Sequence, residues 1–326
     1  MAKPKVLATR PLFPAAQEIL NAFCDVEYWT KPERISKEEL FKKVKDKEGL
    51  VCLLTEKVNA ELLSAAPKLR IAANVAVGFD NIDVAACTKR GVAAANTPGV
   101  LDETTADFAW TLMMAVGRRL VEGDTLARSG NWTGWDLDQL VGADIWGKTL
   151  GIVGFGRIGK AMARRAIGFQ MKVIYADAVQ APDAVEKELK AEYRGMNSLL
   201  AESDFISLHV PLLPETRGLF DGSRFSKMKP TAYLINTSRG AVIDEAALVH
   251  ALESGKIAGA GLDVFENEPF IIPGLKRPNV VLAPHIASAS IETRTKMACM
   301  AAENVVAMLK GKQPPNILNP EVLKAK

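Results

Sequence analysis

Cysteine is scarce in this sequence: four thiols, Cys24, Cys52, Cys87 and Cys299, stand far apart, form no CxxC pair and lie mostly in apolar stretches. That usage fits a reducing compartment, and no metal site is expected from it. A dominant charge is also missing. Lys and Arg total 41 against 38 Asp and Glu, a formal net charge of +3 with no long block of one sign, which argues against a nucleic-acid surface. No apolar run approaches membrane-spanning length, and Met1 to Leu7 enters a strand pattern directly, without the apolar segment and cleavage site of an export signal. The expectation is a soluble, cytoplasmic protein with no membrane partner. Histidine is rarer still, three in all, so each can be weighed singly.

What is present is length and rhythm. At 326 residues the chain exceeds one ordinary domain, and two α/β domains are the natural reading. Short apolar runs alternate with amphipathic segments: Lys5–Ala8 then Pro14–Phe23, Val26–Trp29 then Ser36–Lys47, Leu50–Leu54 then Asn59–Ala66, Leu69–Asn74 then Ile82–Arg90, and Val92–Ala95. Such alternation predicts a parallel sheet covered on both faces. A continuous helical pattern from about Asp102 to Ser129 precedes the Trp- and Gly-bearing segment Gly130–Gly147. Further strands are predicted at Thr149–Val153, Met171–Tyr175, Phe205–Leu208, Ala232–Asn236, Gly261–Phe265 and Val280–Ala283. A last helix, about Ile291–Lys310, follows that sheet and is expected to cross back to the first domain. The predicted fold class is α/β: two doubly wound parallel-sheet, Rossmann-like domains, one of residues 1–101 with 290–326 and one of residues 102–289.

The sharpest local signal is Gly154-Phe155-Gly156-Arg157-Ile158-Gly159, directly after the apolar run Thr149–Val153. A lone GxGxxG is weak, because glycine-rich loops turn the chain in many α/β proteins. Context strengthens it here. Gly154 would allow the tight strand-to-helix turn, Gly156 would let the backbone approach a pyrophosphate, and Gly159 would let the new helix pack on the sheet. Helix N–H groups then face the phosphates. The next strand ends near Asp177, 23 positions after Gly154, where a carboxylate can accept both ribose hydroxyls of an adenosine. These residues are read as a dinucleotide site.

Of the histidines, His250 lies in a helix pattern closed by Gly255 and reads as a surface residue. His209 follows the apolar strand Phe205–Leu208, a position that leaves open both packing and proximity to a cofactor. His285 also follows a strand, on a loop of small residues that would leave its ring accessible. A hydride-transfer enzyme acting on a carbonyl needs a proton donor, and imidazole titrates in the right range. It also needs a cation. Arg239, in Asn236-Thr237-Ser238-Arg239-Gly240 at another strand end, could hold a carboxylate bidentately, although a surface ion pair is the commoner fate of such an arginine. In Asp263-Val264-Phe265-Glu266-Asn267-Glu268-Pro269, a carboxylate lying against His285 would favour its imidazolium.

Together these segments, with Asn74-Val75-Ala76-Val77-Gly78-Phe79-Asp80-Asn81-Ile82-Asp83, His209-Val210-Pro211-Leu212 and Pro284-His285-Ile286-Ala287-Ser288, resemble the D-2-hydroxyacid dehydrogenase family, most closely its glyoxylate/hydroxypyruvate reductase branch, over essentially the whole length. The resemblance implies a catalytic triad of Arg239, Glu268 and His285 in a cleft between the domains. It implies that the amides of Val77 and Gly78 hold the substrate carboxylate beside Arg239 and His285, with Leu54 lining the pocket. Cofactor contacts are implied for Thr105, Val210, Pro211 and Thr216, and likewise for Thr237, Ser238 and Arg239. Others are implied for His209, Ala287, His285 and Asp263, the last reaching the nicotinamide carboxamide. The family works as a homodimer, implying a subunit contact through about 102–147 with Trp135 near a neighbour's cleft.

Many reductases of this branch prefer NADPH and carry Ser, Thr or Arg after the second strand, whereas here Asp177 is followed by Ala178 and Val179. Nothing in that stretch neutralises a 2′-phosphate. A carboxylate about 4 Å from a phosphate costs at most on the order of 4 kcal/mol at an effective dielectric near 20, so the expected cofactor is NAD(H). The expected activity is reduction of glyoxylate or hydroxypyruvate to glycolate or D-glycerate. Two other readings share the fold: a D-3-phosphoglycerate dehydrogenase, although the chain ends near Lys326 without an appended regulatory domain, and a non-enzymatic dinucleotide-sensing corepressor. A formate dehydrogenase would need Gln where Glu268 stands.

Overall fold

The computed structural model describes residues 2–324; Met1, Ala325 and Lys326, at the outer limits of the first predicted domain, lie outside the described residues. The chain divides into two compact units. One ends at Leu101 and resumes at Ala289, and the other is Asp102–Ser288.

In the first unit, strands β1 (Lys5–Ala8), β2 (Asp25–Tyr28), β3 (Gly49–Cys52), β4 (Ile71–Asn74) and β5 (Ala93–Ala95) alternate with helices α1 (Pro14–Phe23), α2 (Lys37–Val44), α3 (Ala60–Ala65) and α4 (Val84–Lys89). All strands run parallel, in the order β2-β1-β3-β4-β5. Every residue of β3, β4 and β5 is buried. That is why they read as short unbroken apolar runs rather than as alternating patterns. Helix starts are set by side chains that accept orphan N–H groups: Ser36 from Glu39, Asn59 from Leu62 and Asp83 from Ala86. The chain's last helix, Ile291–Leu309, packs on α1 and on the β3–β4 face of this sheet through Ala298, Ala301, Ala302 and Val305. Gly49 on β3 permits this close approach: a Cβ there would lie 3.0 Å from the Val305 Cγ1.

The second unit opens with helices α5 (Asp102–Gly117) and α6 (Leu120–Ser129). Its sheet has strands β6 (Thr149–Val153), β7 (Lys172–Ala176), β8 (Ala191–Tyr193), β9 (Phe205–Leu208), β10 (Tyr233–Asn236), β11 (Gly259–Leu262) and β12 (Val280–Leu282). They are parallel, in the order β12-β11-β10-β9-β6-β7-β8. The chain runs outward from β6 to β8 on one side, then returns and runs from β9 to β12 on the other. The reversal falls between β6 and β9, and the carboxyl ends of those strands form the crevice where open α/β sheets bind ligands. Helices α7 (Arg157–Gly168), α8 (Asp183–Leu189), α9 (Met196–Glu202), α10 (Gly222–Phe225) and α11 (Glu245–Glu253) connect the strands.

The single helical pattern expected over 102–129 is in fact two helices. The Gly117 carbonyl accepts the Ala143 N–H at 2.8 Å instead of continuing the helix, and Arg119 takes a left-handed conformation with φ 52. A Cβ on Gly117 would sit 2.9 Å from Ile145 Cδ1, so the segment after α6 folds back onto the break. Among the described residues no helix is long and apolar enough to cross a membrane.

Candidate active site

The loop after β6 is built around three glycines with different duties. Gly154 has φ +91, and a Cβ there would meet the His209 carbonyl oxygen at 2.5 Å. At Gly159 a Cβ would lie 2.2 Å from the Gly154 carbonyl oxygen, so only glycine lets α7 start so close to the strand. Gly156 differs: its φ is −74, and nothing in the chain lies within 4 Å of a Cβ built there. The fold does not need a glycine at this position; open space beside the first N–H groups of α7, which begins at Arg157, suits a pyrophosphate. Phe155 between them is buried and stacks on Tyr175 at 3.9 Å, and Ile158 packs against the same core.

Asp177, at the end of β7, reaches back over this loop. Its Oδ2 accepts the Phe155 N–H and its Oδ1 the Ala178 N–H, both at 2.6 Å. A carboxylate has about four acceptor positions, so two remain for ribose hydroxyls. Two buried polar atoms nearby in the fold lack any hydrogen-bond partner: His209 Nδ1 and Thr237 Oγ1, at the ends of β9 and β10. His209 Nε2 contacts Ser207 Oγ at 2.8 Å, and burial pulls this imidazole down to about 3, so it is neutral at physiological pH. Orphaned donors and acceptors at strand ends fit a nucleotide that supplies their partners. Thr216 closes the turn after Val210 and Pro211, accepting the Leu213 N–H at 2.8 Å and donating to the Pro211 carbonyl at 2.5 Å. Thr105 is buried in α5.

Arg239 lies just past β10 on a turn tied by Asn236, whose Oδ1 accepts from Ser238 N and Oγ and whose Nδ2 donates to the Arg239 carbonyl. The guanidinium Nη1 donates to the Ser238 carbonyl at 2.8 Å. Gly240 then lies directly on the backbone after β11: a Cβ there would be 1.9 Å from the Phe265 carbonyl carbon. This contact brings the arginine turn against the acidic loop Phe265–Pro269. Glu268 Oε2 is 2.8 Å from His285 Nδ1, and its Oε1 accepts the Phe265 N–H at 3.1 Å. Burial alone would push the Glu268 carboxyl up; the hydrogen bond and charge of His285, the Phe265 N–H and the Arg239 charge outweigh it and leave the carboxyl below its ordinary range. His285 has φ 57, the left-handed region that L-residues rarely occupy. Asp263 holds it there. The Asp263 carbonyl accepts the His285 N–H, and its fully buried carboxylate accepts from Ile286 and Ala287, all at 2.8 Å.

Arg239, Glu268 and His285 thus belong to one cluster on the carboxyl ends of β10, β11 and β12. Leu54, Val77 and Gly78 lie in the other unit, on the loops after β3 and β4, and are half-buried. One residue of the cluster went unnoticed in the sequence. Glu245, the first residue of α11, is buried, and its Oε1 accepts the Glu266 N–H at 2.7 Å, which pins the acidic loop from behind. Burial, reinforced by the nearby Glu266 and Glu268 charges, pushes its carboxyl upward despite that N–H. Two adjacent acids opening a helix read first as capping residues, which Asp244 is; only the tertiary contact distinguishes Glu245.

Residues 110–287 match the family described as "D-isomer specific 2-hydroxyacid dehydrogenase, NAD binding domain". A glyoxylate reductase of Korarchaeum cryptofilum is 51% identical over 99% of this chain and 98% of its own length. One from Thermococcus litoralis is 51% identical over 98% of each. Among solved structures, the TT0316 protein of Thermus thermophilus superposes with a TM-score of 0.91 at 42% identity, covering 96% of this chain and 99% of that one. An NADPH-dependent glyoxylate/hydroxypyruvate reductase of Sinorhizobium meliloti, in complex with NADP and malonate, does so with a TM-score of 0.84 at 32% identity, covering 97% of each chain.

Proposed function

Because the chain belongs to the D-isomer specific 2-hydroxyacid dehydrogenase family, we propose that it is a glyoxylate/hydroxypyruvate reductase that uses NADH to convert small 2-oxo acids to 2-hydroxy acids. The observation that carries this reading is the Glu268–His285 pair at 2.8 Å beside the Arg239 turn. A dinucleotide held by the Gly154–Gly159 loop and Asp177 would supply the hydride for the carbonyl carbon. Arg239 holds the substrate carboxylate and polarises the neighbouring carbonyl. His285 delivers its proton to the carbonyl oxygen as that oxygen gains charge, so hydride and proton together make the hydroxyl, and the imidazole recovers its proton from water. Glu268 stabilises the imidazolium and fixes its orientation. The amides of Val77 and Gly78 bind the carboxylate with Leu54 as an apolar wall; none of these groups offers a cation to a second, phosphorylated end.

Cofactor choice follows from Asp177. The carboxylate is fixed by two N–H groups and followed by Ala178 and Val179, which supports NADH over NADPH. A homodimer is proposed through residues 102–147, supported by the exposed Leu120, Trp132, Trp135, Leu137 and Trp146 in one segment. Four free thiols, three of them buried, support a reducing, cytoplasmic setting. Purified protein mixed with NADH and glyoxylate should oxidise the NADH; absence of turnover with every 2-oxo acid tried contradicts the assignment.

A further inference from the structure

We propose that Asn96 is a positioning residue that aims the backbone N–H of Gly78, beside that of Val77, at the substrate carboxylate, while Asn74 fixes the peptide that follows. This rests on the reductase reading above and names what makes that subsite work. Strand β4 ends at Asn74, and the Val75 N–H still donates to the Cys52 carbonyl at 2.9 Å. The next three carbonyls are then captured one after another. Ala76 O accepts the Thr97 N–H at 2.9 Å, Val77 O accepts Asn96 Nδ2 at 2.7 Å, and Gly78 O accepts Asn74 Nδ2 at 2.8 Å.

A trans peptide is planar, with its C=O and the following N–H pointing in opposite directions. Anchoring Ala76 O therefore turns the Val77 N–H away from the core, and anchoring Val77 O does the same for Gly78. Among the described residues neither N–H finds an acceptor. Two successive outward N–H groups form a concavity for an anion without using a charged side chain.

Both anchoring amides are themselves enclosed, Asn74 completely and Asn96 nearly so. Asn74 Nδ2 also donates to Asn81 Oδ1 at 3.0 Å, and Asn81 Nδ2 donates to the Leu53 and Glu56 carbonyls at 3.0 and 2.9 Å, which ties in the loop that carries Leu54. On the other side the Asn96 carbonyl accepts Asn304 Nδ2 at 3.2 Å. Donation to a carbonyl is what an amide provides here. A carboxylate in the same place would repel that carbonyl and free its peptide to turn over.

The test compares Asn96→Ala and Asn96→Asp with the native enzyme, reading KM for glyoxylate, Ki for oxamate, Kd for NADH and Tm. The expected result is a rise in KM and Ki of about 10- to 100-fold, the size of one or two charge-assisted hydrogen bonds. NADH affinity should hold, and Asn96→Gln, which keeps a donor, should recover part of the loss. A folded variant with native KM and Ki overturns the inference while leaving the reductase reading intact. If the native enzyme turns over no 2-oxo acid, both fall together. Should the variants not fold, the native NADH complex still decides: oxamate must shift the amide resonances of Val77 and Gly78, and unmoved resonances refute the proposal.

Discussion

Glu268 reaches His285 Nδ1 with one carboxylate oxygen, at 2.8 Å, and its own loop at the Phe265 N–H with the other, at 3.1 Å. Two attachments fix the carboxylate, and through it the imidazole ring. The His285 backbone, in the left-handed region, is held independently by Asp263. Ring and backbone are therefore set by different acids, and their effects should separate on mutation.

His285→Ala should lower kcat by roughly 10²–10⁴-fold, the usual contribution of a general acid, with little change in the NADH dissociation constant. Native-like turnover across pH would remove His285 from the mechanism. Glu268→Gln should lower kcat, because the ring loses the carboxylate that fixes its orientation. The same substitution has a stability signature. The Glu268 carboxyl is depressed below its ordinary 4.5 in the folded state. Its contribution is therefore complete above that ordinary value and disappears as pH falls through the lower, folded value. Urea midpoints of native and Glu268→Gln protein should converge in acid; a gap that stays constant with pH contradicts the pairing.

Gly156→Ala and Gly159→Ala should fail in different ways. A Cβ at Gly159 strikes backbone 2.2 Å away, whereas one at Gly156 meets nothing within 4 Å. Gly159→Ala should lose stability outright, and Gly156→Ala should melt like the native protein yet bind NADH more weakly. Tm and NADH titration measure both. Native NADH affinity in Gly156→Ala would mean that the open space is not where the cofactor lies.

The native enzyme should prefer NADH to NADPH by at least about tenfold in kcat/KM, and Asp177→Ser with Ala178→Arg should reverse the order, since a carboxylate near a phosphate costs up to about 4 kcal/mol. A native preference for NADPH would show that the end of β7 does not govern the choice.

Glu245 should matter as an acceptor rather than as a charge. Glu245→Gln keeps an oxygen for the Glu266 N–H and removes a carboxylate that burial disfavours, so its activity and Tm at neutral pH should match or exceed the native values. Glu245→Ala strands that N–H and should cost about 1–3 kcal/mol by urea unfolding. Equal stability of the two variants would argue that the hydrogen bond carries nothing.

Much of this was legible in the sequence because it rests on local sterics or on strand periodicity. The glycine loop announces a strand, a turn and a helix through positions where a Cβ cannot fit, and the apolar runs before Arg239 and His285 mark strand ends. What escaped depends on contacts between distant segments. The break between α5 and α6 arises because Gly117 answers Ala143, and helical periodicity carries straight through it. Strand β8 has three residues, two of them exposed, too few to establish a period. Asn96 and Glu245 are polar residues whose roles are fixed by carbonyl and amide groups many positions away, on Val77 and Glu266. Their side chains alone carry no sign of it.

As proposed, the substrate site takes one carboxylate and its neighbouring carbonyl, and Leu54, Val77 and Gly78 bring no cation to a second anion. The most direct test of this selectivity is kcat/KM with NADH for glyoxylate, hydroxypyruvate, pyruvate and 3-phosphohydroxypyruvate, measured side by side. Glyoxylate and hydroxypyruvate should lead, and the phosphorylated acid should trail, because nothing replaces the water its dianion would lose. A higher kcat/KM for 3-phosphohydroxypyruvate would contradict the account and make the protein a phosphoglycerate dehydrogenase instead.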